Sequence, residues 1–182
     1  MIGLFRCNCN QGFRLDDSGG NCTDINECTN PDNCLYGTCV NTQGGYICRC
    51  PAGYETNPTG TGCIDKRLGT CYMTVPQNRQ YGRCSDVITL DTYRATCCCS
   101  VGQGWGEDPG FCERCPVNGT SEYKTLCPGG PGFKPSIDLI LEDIDECEEL
   151  QNICKGGECQ NTFGSFICVC PTGYRLYDHQ CI

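Results

Sequence analysis

Apolar residues are thinly spread along this chain, in runs far too short to span a membrane. Secondary structure is expected to be sparse. We expect one two-stranded hairpin near residues 37–41 and 45–50, and a second near residues 157–161 and 165–170. The region between them is expected to hold short strands and a helix around residues 89–96.

A small cluster of apolar residues at 137–141 follows a stretch that is rich in proline and glycine. The sequence Pro-Gly-Gly-Pro-Gly at 128–132 indicates a loop. The apolar cluster is costly to leave in water, so we expect residues 137–141 to pack against the central region, together with Phe133.

Composition changes this picture, because the apolar content is too low for an ordinary core. Leu, Ile, Val and Phe make up less than a fifth of the chain, whereas 23 of its 182 residues are cysteines. Small modules of this kind are held by disulfides, each contributing about 2–4 kcal/mol. Disulfides persist in oxidising compartments, which predicts a secreted protein. The N-terminus has no signal-peptide pattern, so we expect a fragment of a longer secreted chain.

The net charge is -9, which argues against nucleic acid as a partner. The charge is uneven: residues 65–127 are neutral overall, and the negative excess lies in the flanking parts. Two bound Ca²⁺ ions would bring the formal total from -9 to -5. We interpret the acidity as cation sites, with solubility as the alternative.

Cysteine spacing reveals two six-cysteine groups that repeat each other. In both, the third and fourth cysteines are separated by eight residues, and a Cys-x-Cys follows. Each group is preceded by an acidic pattern, Asp-Ile-Asn-Glu at 24–27 and Asp-Ile-Asp-Glu at 143–146. Spacing alone leaves fifteen connectivities open for six cysteines. The groups are Cys28, Cys34, Cys39, Cys48, Cys50 and Cys63, and Cys147, Cys154, Cys159, Cys168, Cys170 and Cys181.

Each six-cysteine group resembles a calcium-binding epidermal-growth-factor-like (EGF-like) module. The N-terminal residues, from Cys7 to Cys22, resemble the end of a third such module whose first half is missing, so Cys7 is expected to lack its partner. The resemblance implies the pairs Cys9–Cys22, Cys28–Cys39, Cys34–Cys48, Cys50–Cys63, Cys147–Cys159, Cys154–Cys168 and Cys170–Cys181.

The eight cysteines between the two groups include a rare Cys-Cys-Cys triplet at 97–99. Adjacent cysteines rarely bridge each other, because their Cα atoms are about 3.8 Å apart and a disulfide needs roughly 4.4–6.8 Å. The frame resembles the eight-cysteine TB domain of fibrillins and latent-transforming-growth-factor-β-binding proteins, and residues 120–130 and 141–147 look more like the fibrillin family. The resemblance implies the pairs Cys71–Cys97, Cys84–Cys112, Cys98–Cys115 and Cys99–Cys127.

The expected fold class is therefore a set of small disulfide-rich modules, in which EGF-like hairpin modules flank an α+β TB domain in a linear rod. The expected boundaries are 1–23 for the truncated EGF-like module, 24–64 for a calcium-binding EGF-like module, 65–128 for the TB domain, 129–142 for a linker and 143–182 for a second calcium-binding EGF-like module.

The acidic patterns supply the oxygen ligands that Ca²⁺ prefers. The resemblance implies side-chain ligands Asp24, Glu27 and Asn41 upstream, and Asp143, Glu146 and Asn161 downstream. It implies carbonyl ligands at Ile25, Thr42, Gly45, Ile144, Thr162 and Ser165. The alternative for each acidic pattern is a turn with solvated carboxylates.

The upstream site lies at a module junction, because Asp24 comes two residues after Cys22, the last cysteine of the preceding tail. An ion there would hold the junction, and the resemblance implies that Phe13 packs across it. We therefore expect a structural extracellular-matrix segment that calcium rigidifies. The alternative is a binding module whose TB domain docks a latent growth-factor complex or a cell-surface receptor.

Other candidate features are weaker. Asn118 lies in a glycosylation sequon. Arg79, Arg83 and Arg94 could bind glycosaminoglycan. The chain has no Arg-Gly-Asp for integrins, and only two residues separate Cys112 from Cys115, where the growth-factor-binding TB domains carry an extra dipeptide. No nucleophile with an adjacent base is evident, so an enzyme is not expected. Other matrix proteins and neighbouring modules of the same chain are the expected partners.

Overall fold

A computed structural model describes residues 6–182, which form two compact units, residues 6–64 and 65–182. In the described part of the chain, no helix combines the length and the apolar character needed to cross a bilayer. Eleven disulfides join the described cysteines, and Cys7 is exposed and unpaired. The bonded pairs are those that the resemblance implies.

The first unit is built from three two-stranded antiparallel sheets. Its central hairpin closes through a two-residue turn in which Gly44 has a φ of +85°, a conformation that glycine adopts without strain. The elements are β1 (Phe13–Leu15), β2 (Cys22–Asp24), a 3-10 helix (Glu27–Thr29), β3 (Thr38–Thr42), β4 (Gly45–Arg49), β5 (Glu55–Thr56) and β6 (Cys63–Ile64).

The second unit begins with a five-stranded antiparallel sheet in the order β8-β11-β10-β7-β9. Trp105 is 2% exposed at its centre, and its indole nitrogen donates to the Thr92 carbonyl at 2.9 Å. The elements are β7 (Leu68–Thr74), β8 (Tyr81–Arg83), β9 (Ser85–Tyr93), α1 (Arg94–Cys98), β10 (Gly104–Gly106), β11 (Phe111–Arg114) and α2 (Ser121–Leu126).

The rest of the second unit repeats the hairpin construction of the first. Pairs β12-β13, β14-β15 and β16-β17 are antiparallel, and β14-β15 is the second expected hairpin. The elements are β12 (Phe133–Pro135), β13 (Leu141–Asp143), α3 (Glu146–Glu149), β14 (Glu158–Thr162), β15 (Ser165–Val169), β16 (Leu176–Tyr177) and β17 (Gln180–Cys181).

The helix expected around residues 89–96 is misplaced. Residues 85–93 form strand β9, and the helix begins only at Arg94. The strand is rich in β-branched residues and pairs along β7, so tertiary pairing decides its conformation.

The expectation that residues 137–141 pack against the central region is mostly wrong. Leu139 is buried, but Ile140 is 68% exposed, and Ile137 and Leu141 are also exposed. The reason is that β12 and β13 form a hairpin whose connecting turn projects these side chains into solvent. Phe133 packs against Phe163, edge to face, with ring centroids 5.1 Å apart.

One continuous core runs through the second unit. Ile88, Trp105 and the cysteine triplet from the five-stranded sheet region share a buried cluster with Ile144, Leu150 and Ile153 from the module that follows. Because apolar burial is the main favourable term in folding, the two modules are expected to stabilise each other.

Candidate calcium sites

The upstream candidate site gathers its side chains from three separate pieces of the chain. Asp24 ends strand β2, and its carboxylate accepts from Asn41 Nδ2 at 2.8 Å and from the Gly44 backbone N–H at 2.6 Å. Thr42 and Gly45 are the residues that close the β3–β4 hairpin beside Gly44. Asp24 is therefore hydrogen-bonded to the turn end of its own module's hairpin.

Asp24 is also bound to the preceding tail. It pairs with Phe13 across β1 and β2, and the next residue, Ile25, donates its N–H to the Gly12 carbonyl at 2.9 Å. A side chain on Gly12 would collide with the Gly44 carbonyl oxygen, and a Cβ on Gly44 would lie 3.2 Å from the Phe13 ring. Phe13 thus packs across the junction at the position expected from the sequence.

The downstream candidate site has the same hydrogen bonds. Asp143 ends strand β13 and accepts from Asn161 Nδ2 at 3.0 Å and from the Gly164 N–H. Ile144 donates its N–H to the Gly132 carbonyl at 2.9 Å. Thr162 and Ser165 close the β14–β15 hairpin. Gly132 and Phe133 therefore take the places that Gly12 and Phe13 hold upstream.

The glutamates of the two sites share an unusual feature. Glu27 opens the 3-10 helix, and Glu146 opens helix α3. In each, the Oε2 atom is buried without a hydrogen-bond partner. Buried carboxylate oxygens normally accept hydrogen bonds, because leaving a buried polar group unpaired costs about 1–3 kcal/mol, and more when the group is charged.

The two sites differ in how deeply their residues are buried. Ile144 is fully buried and Glu146 is 2% exposed, whereas Ile25 is 37% exposed. Desolvation, together with the negative charges of Asp143 and Asp145, raises the pKa of the Glu146 carboxyl above its ordinary value, and the hydrogen bond from Ser100 acts in the opposite direction. A nearby cation would favour the charged form.

The two sets of donors fit a hard cation. Each offers two carboxylates, one amide side chain and backbone carbonyls, all of them oxygen donors, and each holds one orphaned buried carboxylate oxygen. In each site the fold brings an asparagine into contact with an aspartate far from it in sequence. The separation is 17 positions for Asp24 and Asn41, and 18 positions for Asp143 and Asn161.

Sequence reasoning missed the polar residues that support the downstream site. Thr96 and Ser100 follow no local pattern and reach α3 only through the tertiary fold. Lys134 forms ion pairs with Glu149 and Glu142. A weak signal did exist for the junction, since the dipeptide Gly-Phe occurs at 12–13 and 132–133, although it also occurs at 110–111 away from either junction.

The remaining candidate residues lie in the second unit. Asn118 is exposed in the turn before helix α2, which Thr120 caps by accepting from the Tyr123 N–H. Arg94 lies 3.1 Å from Glu113, although its Nε is not aligned for a hydrogen bond. Because Arg94 is neutralised in this way, it adds little to a cluster of positive charge with Arg79 and Arg83.

Comparison with known proteins agrees with this arrangement. The family model described as the calcium-binding EGF domain matches residues 24–63 and 143–181, and the TB domain model matches residues 82–127. A third model, the complement Clr-like EGF-like family, matches residues 5–27. The chain is a fibrillin-like array of TB and calcium-binding EGF domains.

Similar proteins include two fibrillins. The chain is 52% identical to mouse (Mus musculus) fibrillin-2 over 174 residues, covering 92% of the chain and 6% of that protein. It is 55% identical to human (Homo sapiens) fibrillin-3 over 117 residues, 63% of the chain and 4% of that protein. Rat (Rattus norvegicus) latent-transforming growth factor beta-binding protein 1 is 38% identical over 134 residues, 70% of the chain and 7% of that protein. The chain thus spans only a small part of these fibrillin and latent-growth-factor-binding relatives.

Proposed function

We propose that this chain is a structural segment of the extracellular matrix in which calcium rigidifies the junctions between modules. The observation that carries the proposal is the double attachment of Asp24 and Asp143. Each aspartate ends a strand pair whose first strand precedes its own module, in the truncated tail upstream and in the 129–142 segment downstream. Each also accepts hydrogen bonds from the hairpin of its own module, so an ion held by such a residue is held at the junction.

The proposed ligands combine side chains and backbone carbonyls. Bound calcium would supply a double positive charge that offsets the carboxylates and favours one fixed arrangement of their oxygens. Sites of this kind in extracellular proteins bind calcium at about 10⁻⁴–10⁻³ M. The upstream set is Asp24, Ile25, Glu27, Asn41, Thr42 and Gly45, and the downstream set is Asp143, Ile144, Glu146, Asn161, Thr162 and Ser165.

Calcium titration followed by limited proteolysis tests the proposal. Calcium is expected to slow cleavage between residues 22 and 28 and between residues 127 and 147, because filling each site suppresses local opening of its junction. Magnesium serves as the control cation, since it prefers a smaller octahedral shell. Cleavage rates that do not change across millimolar calcium would contradict the proposal.

Docking of a growth-factor complex or a receptor by the TB domain is a second candidate. It is supported by exposed apolar side chains on one edge of the five-stranded sheet, where Leu68 and Tyr93 are cross-strand neighbours and Leu90 lies nearby. The spacing of Cys112 and Cys115 argues against covalent capture. Leu90→Ser is expected to reduce binding to an immobilised latent growth-factor complex without changing the thermal midpoint, and unchanged binding would remove this candidate.

Several further properties belong to the same proposal. The chain is secreted, non-enzymatic and glycosylated at Asn118, and it has the module boundaries expected from the sequence. Its partners are other matrix proteins and adjoining modules. Mass spectrometry of protein secreted from eukaryotic cells, with and without enzymatic deglycosylation, tests the modification at Asn118.

A further inference from the structure

Two short helices meet where the TB domain joins the downstream EGF domain. Thr96 belongs to helix α1, and Ser100 follows two residues beyond its end. The Thr96 hydroxyl donates to Glu149 Oε2 at 3.1 Å, and the Ser100 hydroxyl donates to Glu146 Oε1 at 3.4 Å. Helix α3 is therefore held at its last and its first residue by hydroxyls of the preceding domain.

We propose that Ser100 is a positioning residue for the downstream calcium site. Its hydroxyl occupies one oxygen of Glu146 and fixes the carboxylate, which leaves the buried and unpartnered Oε2 atom for the ion. This inference rests on the proposed calcium function. It adds that the TB domain, through one side chain, sets the affinity of a site whose ligands all lie in residues 143–165.

Ser100 can act in this way because its surroundings are rigid. The three residues before it, 97–99, are all cysteines in disulfides, to Cys71, Cys115 and Cys127 respectively. The Cys99 carbonyl also accepts from the Gly132 N–H at 2.7 Å, which anchors the β12–β13 hairpin. A donor on so constrained a backbone loses little entropy when it orders its partner.

The opposite end of α3 is neutralised, whereas the Glu146 end is not. Lys134 has a mostly buried side chain and forms an ion pair with Glu149, and its ammonium also donates to Thr96 Oγ1 at 3.4 Å. Among the described residues, Glu146 receives no such ammonium. Its negative charge is therefore left for a cation, while the Ser100 hydroxyl supplies orientation without charge.

The upstream site lacks this support. Among the described residues, no side chain donates a hydrogen bond to the carboxylate of Glu27, and Asn30 stands at the position that corresponds to Glu149. The upstream site therefore serves as an internal control within the same chain.

The test is a calcium titration of the 182-residue chain that follows the backbone amide signals of Gly44 and Gly164 by NMR. Each amide donates to the aspartate of one site, so each reports one site. Ser100→Ala is expected to weaken calcium binding at the Gly164 reporter about tenfold and to leave the Gly44 reporter unchanged. Loss of a partner that orients a metal ligand typically costs about 10–100-fold, and a hydrogen bond of 3.4 Å belongs at the low end.

Two further variants separate the hydroxyl from general packing. Ser100→Thr keeps a hydroxyl, so its calcium affinity is expected to stay within about threefold of the parent chain. That change is smaller than the roughly tenfold loss that is typical when such a partner is removed. Ser121→Ala removes an exposed serine at the start of α2 and is expected to change neither reporter. The amide spectrum of each variant in EDTA reports whether the TB domain is folded.

The outcomes distinguish this inference from the proposed function. Calcium-independent signals at both reporters of the parent chain would refute the calcium sites themselves. Calcium binding by the parent chain together with unchanged downstream affinity in Ser100→Ala would overturn only the role of Ser100. Equal losses at both reporters, or an equal loss in Ser100→Thr, would also overturn it, because the effect would then not belong to the hydroxyl.

Discussion

The two candidate calcium sites share their aspartate and asparagine geometry but differ in the module that precedes them. Upstream, a truncated EGF-like tail contributes Gly12 and Phe13, and the neighbouring Ile25 stays partly exposed. Downstream, the 129–142 segment that follows the TB domain contributes Gly132 and Phe133, and Ile144 is completely buried in the core shared with the TB domain. The contacts between aspartate and asparagine are thus the same in both settings, while the degree of burial differs with the neighbouring module.

Loss of a TB disulfide should have the largest effect on this contrast. Replacing both partners, as Cys98→Ser with Cys115→Ser, removes a bridge without leaving a free thiol and is expected to cost about 2–5 kcal/mol. The downstream calcium affinity should fall because its support unfolds, whereas the upstream affinity should persist. Site-resolved calcium titration measures both, and a downstream affinity unchanged from the parent chain would contradict the dependence on the neighbour.

Leu150→Ala should have the next largest effect, a loss of folding stability. Leu150 is fully buried in the core shared with the TB domain, and emptying its site is expected to cost about 2–5 kcal/mol. The matched position upstream is Pro31, which is exposed, so Pro31→Ala should change stability by about 0.5 kcal/mol or less. Thermal unfolding in EDTA compares the two, and similar losses would show that the shared core contributes little.

Gly132→Ala should destabilise the downstream junction by about 1–3 kcal/mol. A Cβ there would collide with the Gly164 backbone, in addition to the strain of a φ of +84°. Gly130 has a φ of +79° with open space around it, so Gly130→Ala carries the strain without the collision. Denaturant unfolding should give Gly132→Ala a clearly lower free energy of unfolding than Gly130→Ala. The opposite ranking would refute the close approach of Gly132 to the Gly164 backbone.

Asn41→Ser and Asn161→Ser should have the smallest effect on stability but should each weaken calcium binding at one site, by about tenfold or more. Each substitution removes the amide that contacts the junction aspartate, so about 1.4 kcal/mol of binding energy is expected to be lost. Amide titration of Gly44 and Gly164 provides the measurement. A change at the other site in either variant would mean that the two sites are coupled.

Much of this fold could be predicted from the sequence because cysteine spacing and the hairpin turns are local signals. The two main hairpins were expected and are present. The resemblance to a fibrillin-type array, stated from the Cys-Cys-Cys triplet and the acidic patterns, agrees with the matched families.

What could not be predicted depends on contacts between distant residues. Strand β9 extends over residues expected to be helical, because pairing with β7 outweighs local preference. Residues 137–141 looked like a buried cluster, but hairpin pairing in β12–β13 exposes most of them. The hydroxyl of Ser100 lies 46 residues from Glu146, and no spacing rule connects the two.

The recurrence of Gly-Phe at 12–13 and 132–133 has a practical consequence for protein engineering. In both dipeptides the glycine carbonyl accepts from the isoleucine that follows the junction aspartate, and the aromatic ring lies against the glycine of the hairpin turn, although the preceding modules are unrelated. Residues 129–142 transplanted onto a different scaffold would carry over this carbonyl and this ring, but they would leave behind the Ser100 hydroxyl and the shared core. A grafted connector would therefore need a host surface that replaces both.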